Sequence, residues 1–379
     1  MRVRQGGRLS NEPIDRTAPS RNVDWLLIAI VLALIVVGAA MVYSSTRGAV
    51  RPYDTSYLAR NLLFGIVGVA LGVIVALVNH RWVLHRVAIW YPAALLLLGS
   101  VLVLGQSRNG AQAWFGFGPF QLQPSEPAKL VLIVVLANYL AAHRGSLTPL
   151  RLIIALLLAG LPMALILLQP DLGTSLVFVV ITLGMFVAAG VKGRYLLVIA
   201  LVGAAFTAAV VPRLADFQKA RLLVFLSEDA ADASSQGVAY NVQQSKIAIG
   251  LGGVSGWGYG RGPQTQNDYV PEQQTDFIFT VIAEELGFVG AAALLGLFGA
   301  LCWRVLRAAR QAGDDAGSLL CVGVLVMLVF HVFENVGMTM GIMPVTGIPL
   351  PFVSYGGSSL LTFTVALAMV VSVRMRRYR

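Results

Sequence analysis

Charged residues are scarce in this chain. Asp, Glu, Lys and Arg make up only 12% of its 379 residues, against about 25% in soluble proteins. Hydrophobic residues make up 57%, and the mean hydropathy is +0.76. A soluble domain of this length has too little interior to bury so much apolar surface. Cysteine is also scarce, and Cys302 and Cys321 both lie in or beside apolar runs. The composition therefore excludes a soluble globular protein, and the cysteine count excludes a disulfide framework.

Apolar runs recur along the chain, and their length of about 20 residues matches the hydrocarbon core of a bilayer. The runs cover residues 24–43, 61–79, 87–104, 127–142, 152–168, 173–191, 195–212, 277–302, 316–339 and 357–373. They predict an all-α polytopic membrane protein, a bundle of about ten transmembrane helices with one large extracellular loop. The first run is too long for a signal peptide and nine more follow it, so we interpret it as an uncleaved anchor.

The positions of Lys and Arg predict the orientation. With a cytoplasmic N-terminus, 18 of the 28 basic residues fall in cytoplasmic segments, nine fall in outer loops, and Lys129 falls in a run. Because cytoplasmic loops carry an excess of Lys and Arg, both termini are expected in the cytoplasm. Residues 1–23 are then a cytoplasmic tail, 24–374 the membrane domain, and 375–379 a basic C-terminus. The basic residues follow the ends of the runs instead of forming one patch, so no nucleic-acid partner is expected.

One outer loop is long. It covers residues 213–275, and seven of the chain's 18 acidic residues lie within 213–276. Seven glycines between positions 250 and 262 leave its backbone few steric restraints. Three interpretations stay open: a backbone nest for phosphate, a lid that moves beside Asp276, and a passive connector. A nucleotide-binding P-loop is not supported, because the GxxxxGK[ST] pattern is absent from the sequence.

Charged side chains at the ends of the runs are candidates for function, because charge at membrane depth is costly. Asp276 stands where the long loop meets the eighth run. Glu126 and Lys129 open the fourth run three residues apart, on one helical face, and Asp171 lies between the fifth and sixth runs. All four map near the outer leaflet, which favours one hydrated site over separate helix caps and structural pairs. Glu284 and Glu285 also lie inside the eighth run, and His331 and Glu334 lie inside the ninth.

Four motifs, in order along the chain, resemble those of the SEDS family. They are Trp114…Gly118-Pro119…Gln123-Pro124-Ser125-Glu126, Gln169-Pro170-Asp171-Leu172-Gly173-Thr174, Val270-Pro271-Glu272-Gln273-Gln274-Thr275-Asp276-Phe277-Ile278-Phe279 followed by Glu284-Glu285-Leu286-Gly287, and Pro344-Val345-Thr346-Gly347-Ile348-Pro349-Leu350-Pro351-Phe352-Val353-Ser354-Tyr355-Gly356-Gly357-Ser358-Ser359. Residues 345–347 and 351–353 look more like the RodA branch than the FtsW branch. One departure is Gln274, which stands where the family commonly has histidine.

The resemblance implies a peptidoglycan glycosyltransferase that polymerises lipid II into glycan strands at the outer face of the bacterial cytoplasmic membrane. Similarity to RodA implies a role in cell elongation and rod shape. The family's essential aspartate maps onto Asp276. The implied partners are a class B penicillin-binding protein and the other proteins of the elongation complex. A divalent cation, Mg²⁺ or Mn²⁺, is also implied, with ligands that the sequence does not identify.

This chemistry needs a base for the attacking sugar hydroxyl and positive charge for the leaving pyrophosphate. Asp276 is the predicted general base, and a single displacement that inverts the anomeric carbon is expected. The predicted substrate-binding residues are Glu126, Lys129, Asp171, Lys246, Arg261, Glu272, Gln274, Thr275 and Ser358. The positive charge that holds the leaving pyrophosphate is expected from a metal or from Lys129, Arg213, Lys219, Arg221, Lys246 or Arg261.

Two alternatives stay open. A transporter of the lipid-linked precursor (a flippase) would use charges or broken helices near the bilayer midplane, and Glu284, Glu285 and His331 favour it. The motifs at the outer surface favour the enzyme. Within the enzyme class, the division paralogue FtsW is the alternative to RodA. The anchor helix of a penicillin-binding protein is expected on the apolar faces of 316–339 and 357–373.

Overall fold

The structure, a computed structural model, describes residues 22–47, 53–108, 111–117, 120–210 and 236–378, together with 212, 219, 221, 224 and 225. The N-terminal tail before residue 22 and most of residues 211–235 lie outside the described part. The helices are α1 (Trp25–Thr46), α2 (Ser56–Leu77), α3 (His80–Leu84), α4 (Val87–Leu104), α5 (Ser125–Ala142), α6 (Pro149–Leu168), α7 (Leu172–Ala188), α8 (Gly193–Val210), α9 (Gln236–Gly252), α10 (Pro263–Gln266), α11 (Ile278–Arg310), α12 (Asp315–Thr339) and α13 (Gly357–Met375).

The prediction of an all-helical polytopic membrane protein is confirmed. Eight of the described helices are long and apolar enough to cross a membrane by length and composition, and α7 and α8 are shorter apolar helices. Each of the ten predicted runs coincides with one of these ten helices. The sequence did not predict the small antiparallel sheet between α4 and α5. Its strands, β1 (Gln106–Arg108), β2 (Ala111–Phe117) and β3 (Phe120–Leu122), form a meander.

One end of the bundle, here called the basic end, is closed by ion pairs between helix termini. Asp24 caps α1 by accepting a hydrogen bond from the backbone N–H of Leu27. Its carboxylate is also paired with Arg304 of α11 and Arg374 of α13, each at 2.6 Å. Asp314 caps α12, and hydrogen bonds from His80, from the N–H of Gly317 and from Arg81 hold its pKa well below its usual range. These contacts align the ends of five helices.

The centre of the bundle is formed by α12 and α13, which both pack on α5 and on α11. Close approaches depend on glycine at two points. A Cβ on Gly38 of α1 would lie 2.4 Å from the carbonyl oxygen of Phe352, and a Cβ on Gly173 of α7 would lie 2.6 Å from that of Thr346. The extended segment 341–356 therefore passes directly against α1 and α7. This contact brings residues 346–349 to the end of the bundle opposite the basic end, here called the cavity end.

The helix α11 is broken near the cavity end. Gly287 has φ 65° and ψ −165°, a conformation that glycine alone adopts readily. The backbone N–H groups of Phe288 and Val289 beyond the break are bonded to the carbonyls of Gly253 and Val254. The glycine-rich loop, residues 253–262, thus replaces part of the helical hydrogen bonding. Gly256, Gly258 and Gly260, all with positive φ, belong to this joint.

The joint answers the question left open for the glycine-rich loop. The N–H groups of Trp257 and Gly258 donate to the carbonyls of Glu284 and Glu285, so they are used inside the protein and do not form a phosphate nest. The same hydrogen bonds hold the loop against α11, so it is not a flexible connector. The interpretation as a lid beside Asp276 also has no geometric support, because none of residues 250–262 lines the cavity that contains Asp276.

Glu284 and Glu285 lie near a membrane boundary, which differs from the expectation that favoured a transporter. Glu285 accepts hydrogen bonds from the hydroxyl of Ser44 at the cavity end of α1, at 2.7 Å. Ser44 is twenty residues from Asp24 at the basic end, a helical rise of about 30 Å, or one hydrocarbon thickness. The two carboxylates are therefore far from the bilayer midplane.

Candidate active site

A cavity of about 410 Å³ opens at the cavity end of the bundle. It lies among the start of α5, the start of α7, the segment 346–349, the start of α13 and the segment that precedes α11. Eight of the ten residues singled out from the sequence line it, namely Asp276, Glu126, Lys129, Asp171, Glu272, Gln274, Thr275 and Ser358. Residues from distant parts of the chain meet here because the helix ends of the bundle converge.

The backbone around Asp276 is fixed from two sides. The amide nitrogen of Asn335 on α12 donates to the carbonyl of Asp276 at 2.8 Å and to that of Ile348 at 2.9 Å. The N–H of Tyr355 donates to the carbonyl of Gln274 at 2.8 Å. Asn335 is completely buried, so one side chain ties two walls of the cavity together. The half-buried Asp276 carboxylate is thereby held at the lining.

Gly347 provides the space beside this carboxylate. Its φ of 76° lies in the left-handed region, and a Cβ built there would be 3.2 Å from Oδ2 of Asp276. A side chain at this position would therefore be strained and would press on the acid. Glu272, one turn before Asp276, also has positive φ (52°) and accepts a hydrogen bond from the Thr275 hydroxyl at 3.2 Å. Two carboxylates thus line the same part of the cavity.

Asp171 is a helix cap that also faces the cavity. Its carboxylate accepts hydrogen bonds from the N–H and the hydroxyl of Thr174, at 2.9 and 2.7 Å, at the start of α7. It also accepts one from the Gln123 side chain at 3.2 Å. The Ser358 hydroxyl joins α13 to the sheet, because it donates to the carbonyl of Gln121 and accepts from the N–H of Gln123, both at 3.1 Å. These two predicted residues therefore shape the wall as well as lining it.

Glu126 and Lys129 form a buried pair. The Lys129 Nζ lies 2.8 Å from Oε1 of Glu126 and 3.0 Å from Nε2 of His331, and the three residues are 3%, 1% and 0% exposed. The predicted contact between the i and i+3 side chains is present. His331, which the sequence analysis assigned to a transporter or to structure, is instead the third member of this group. No spacing rule links residue 331 to residue 129, so only the packing of α5 on α12 reveals the contact.

Two predicted residues do not line the cavity. The side chain of Lys246 on α9 lies over Gly341, where its Cε is 2.4 Å from the position of a Cβ at that glycine. Arg261 is exposed in the glycine-rich loop near the cavity end of α1. Of the other cations named from the sequence, Arg221 lines the cavity and Arg213 lies outside the described residues.

Sequence reasoning did not assign several residues of the lining to the site. Arg60 and Tyr57 of α2, Trp114 of β2 and Tyr355 before α13 all border the cavity, and the rings of Tyr57 and Tyr355 meet edge to face at 5.1 Å. Arg60 gave one usable signal, since it is a basic residue at the outer end of an apolar run. Trp114 and Tyr355 belong to two of the four motifs, and only Tyr57 gave no signal, because a membrane protein carries many aromatic side chains at its interfaces.

The described part of the lining contains no complete metal cage. Among the described residues, no group of three or more His, Cys, Asp or Glu is arranged to hold a metal ion. Mg²⁺ is usually held by one or two carboxylates together with substrate phosphates and water. Glu272 and Asp276, which line one cavity, fit that type of shared site.

A multi-pass membrane helix bundle with an acidic, hydrogen-bonded cavity at one end is the class that this geometry defines. The family model for the FtsW, RodA and SpoVE proteins, described as "Cell cycle protein", matches residues 24–379. The peptidoglycan glycosyltransferase RodA of Treponema pallidum is 33% identical over 423 aligned positions, covering 93% of this chain and 98% of the relative. The probable peptidoglycan glycosyltransferase FtsW of Saccharophagus degradans is 38% identical, covering 95% and 94%.

A solved structure shows the same fold. A chain from the study "Structural coordination of polymerization and crosslinking by a peptidoglycan synthase complex" superposes with a TM-score of 0.80 at 35% identity, covering 94% of this chain and 99% of that one. The chain therefore belongs to the SEDS family of FtsW, RodA and SpoVE proteins. The family resemblance read from the four motifs is confirmed.

Proposed function

We propose that this protein polymerises lipid II into glycan strands at the cavity end of its helix bundle. It is a peptidoglycan glycosyltransferase of the SEDS family. The observation that carries the proposal is the position of Asp276, which lines the cavity on a backbone fixed by Asn335 and faces the space that Gly347 leaves. The basic end is cytoplasmic by the excess of Lys and Arg there, so the cavity faces the outer surface.

In this mechanism Asp276 removes the proton from the 4-hydroxyl of the acceptor sugar. The oxygen then attacks the anomeric carbon of the donor, the bond to the pyrophosphate breaks, and the configuration inverts. A carboxylate is competent as a base when it lies within hydrogen-bond reach of the hydroxyl. The half-buried environment of Asp276 leaves room for the acceptor beside it.

The leaving pyrophosphate is stabilised by positive charge at the mouth of the cavity. Arg60 and Arg221 line it and are both only half-buried, so a phosphate can reach them without complete loss of its hydration. A divalent cation held jointly by Glu272, Asp276 and the pyrophosphate would supply further positive charge to the departing group.

The biological role proposed is cell elongation. Residues 345–347 and 351–353 resemble the RodA branch and support this assignment, while relatives named FtsW match over a comparable length. The division role is the alternative. The transporter alternative loses the support of Glu284 and Glu285, whose carboxylates are bonded within the protein near a membrane boundary.

The test of the base is Asp276→Asn in purified protein supplied with lipid II and a divalent cation. We expect glycan polymerisation to fall by at least about a hundredfold, because general-base catalysis contributes about 10²–10⁴-fold. Melting temperature in detergent should stay within about 2 °C of the unaltered protein. The matched control is Asp54→Asn, a carboxylate at the same end of the bundle that does not line the cavity. Near-normal glycan from the Asp276 variant would remove the assignment.

The proposed partner is a class B penicillin-binding protein that crosslinks the glycan. The expectation for its anchor helix needs revision, because α13 is largely buried between α2, α5 and α12. The apolar face that remains lies on α12, where Val329 and Phe333 are exposed. Phe333→Ala should reduce co-purification with the partner, whereas Phe288→Ala on an exposed face of α11 serves as the control. Equal recovery with both variants would place the interface elsewhere.

A further inference from the structure

One wall of the cavity is buried, and its polar side chains differ from the rest of the lining. This buried wall is defined by Glu126 and Lys129 of α5 and Ser359 of α13, which are 3%, 1% and 6% exposed and all line the cavity. Asp276, Arg60 and Arg221 on the other sides are half-buried. The cavity therefore has a dry polar wall and a wetter charged mouth.

The hydrogen bonding of His331 determines what the Lys129 ammonium can still bind. His331 Nδ1 lies 2.8 Å from the carbonyl of Met327, which can only accept, so Nδ1 carries the proton. In the neutral ring Nε2 is then an acceptor, and it takes one N–H of Lys129 at 3.0 Å. Glu126 Oε1 takes a second at 2.8 Å. An ammonium has three N–H groups, so one is left for a ligand.

Two further polar atoms of the buried wall lack protein partners. Oε2 of Glu126 and Oγ of Ser359 are buried and make no hydrogen bond with any described residue. Native proteins leave few buried polar atoms unpaired, and such atoms call for an explanation. The wall thus holds one N–H donor, one carboxylate acceptor and one hydroxyl of either kind that no described residue satisfies, all in residues that line the cavity.

The charge of the wall identifies the ligand. Glu126 and Lys129 neutralise each other and the His331 ring is uncharged, so the buried group carries no net charge. A pyrophosphate placed there would lose its hydration without a net opposite charge and would lie against the Glu126 carboxylate, which is costly. A sugar hydroxyl or an acetamido group both donates and accepts hydrogen bonds and has no charge to desolvate. It matches the mixed set of one donor, one acceptor and one hydroxyl.

We infer that the buried wall of Glu126, Lys129 and Ser359 is a sugar subsite, which binds neutral hydroxyl or acetamido groups of the lipid-linked disaccharide and excludes the pyrophosphate. The inference rests on the proposed function, and it reassigns Lys129 from the leaving group to the sugar. His331 is a positioning residue that holds the Lys129 ammonium from behind. The pyrophosphate is left to Arg60 and Arg221 at the mouth.

The test compares two ligands that share the pyrophosphate, namely lipid II and sugar-free undecaprenyl pyrophosphate. Binding is measured with full-length protein in detergent, in the Asp276→Asn background so that lipid II is not consumed. Ser359→Ala removes only an unpaired hydroxyl, so folding should be unaffected. We expect lipid II to bind about fivefold more weakly, the loss of one hydrogen bond of about 1 kcal/mol, with unchanged affinity for undecaprenyl pyrophosphate. Ser100→Ala, on α4 outside the cavity, is the matched control.

A second variant tests the charge argument. Glu126→Gln leaves the Lys129 charge uncompensated, so undecaprenyl pyrophosphate should bind more tightly and the preference for lipid II should fall. If Ser359→Ala weakens both ligands equally, or weakens neither, the sugar subsite is wrong. If the parent protein binds neither ligand, both the proposed function and the sugar subsite are wrong. If both variants bind both ligands tightly, with the same ratio of affinities for lipid II and undecaprenyl pyrophosphate as the parent, the sugar subsite is wrong and the proposed function stands.

Discussion

The segment from Glu272 to Gly287 uses acidic residues in opposite ways at its two ends. At the first end, Asp276 and Glu272 are half-buried and face a cavity. At the second end, Glu284 and Glu285 are completely buried and bonded within the chain. Both ends place carboxylates near a membrane boundary, where charge is costly. The difference lies in the surroundings of the carboxylates, since the first pair lines a cavity and the second pair is enclosed by donors of the protein.

The second end, with Glu284 and Glu285, is a joint between three parts of the chain. Glu284 accepts hydrogen bonds from the N–H groups of Gln264 and Thr265 and from the Thr265 hydroxyl, at 2.7, 2.9 and 2.6 Å. Glu285 accepts from Ser44 on α1. These bonds fix residues 264–266 beside the half-helix that begins at Ile278. The segment that carries Asp276 connects residues 264–266 to this half-helix. The hydrogen bonds of Glu284 and Glu285 therefore hold Asp276 in place.

The largest effect should come from Gly287→Ala at the break in α11. The φ of 65° is unfavourable for alanine, and a Cβ would lie 2.3 Å from the backbone nitrogen of Gly256 and 2.5 Å from the carbonyl oxygen of Val254. Since both neighbours are backbone atoms, the joint must open. We expect a loss of about 3 kcal/mol or more, combining backbone strain with steric overlap, and loss of a monodisperse peak in detergent.

Gly299→Ala provides the matched comparison in the same helix. Nothing lies within 4 Å of a Cβ at that position, and its backbone is helical. Alanine is the better helix former by about 1 kcal/mol, so this variant should be as stable as the parent or slightly more so. Similar melting temperatures for the two variants would mean that the break at Gly287 contributes nothing to stability.

Glu284→Ala should have the next largest effect. It leaves three donors of residues 264–265 without their acceptor in a buried site, at about 1–3 kcal/mol for each unsatisfied group. We expect a total near 3 kcal/mol, read as a lower melting temperature in detergent, with activity lost in proportion to folded protein. Asp276→Asn should show the reverse, with activity lost and stability kept. A stable but inactive Glu284 variant would contradict the assignment of Glu284 to stability and of Asp276 to activity.

The sequence predicted the helices well because apolar runs of membrane length leave few alternatives. It also identified Asp276 and most of the cavity lining, since motifs at the ends of the runs converge once the bundle forms. It could not separate Asp276 from Glu284, because both are acids beside an apolar run. What distinguishes them is the surroundings of each carboxylate: Asp276 lines the cavity, whereas Glu284 is enclosed by donors of residues 264–265, through a fold that spacing does not encode. The contact between His331 and Lys129 was not predicted for the same reason.

The smallest expected effect concerns Ser44→Ala, which removes one donor to Glu285. The Ser44 hydroxyl lies 2.7 Å from both carboxylate oxygens, and the Gln266 amide lies 3.3 Å from Oε1. Because Glu285 keeps this second donor, we expect a loss of about 1.5–2 kcal/mol, at the low end of the range for a hydrogen bond to a charged group. Thermal unfolding in detergent measures it, with Ser100→Ala as the control for a serine on an exposed helix face. If α1 and the joint act as one unit, amide hydrogen exchange should rise across residues 260–273 as well as beside Ser44. Faster exchange confined to α1 would show that the joint holds Asp276 without help from that helix.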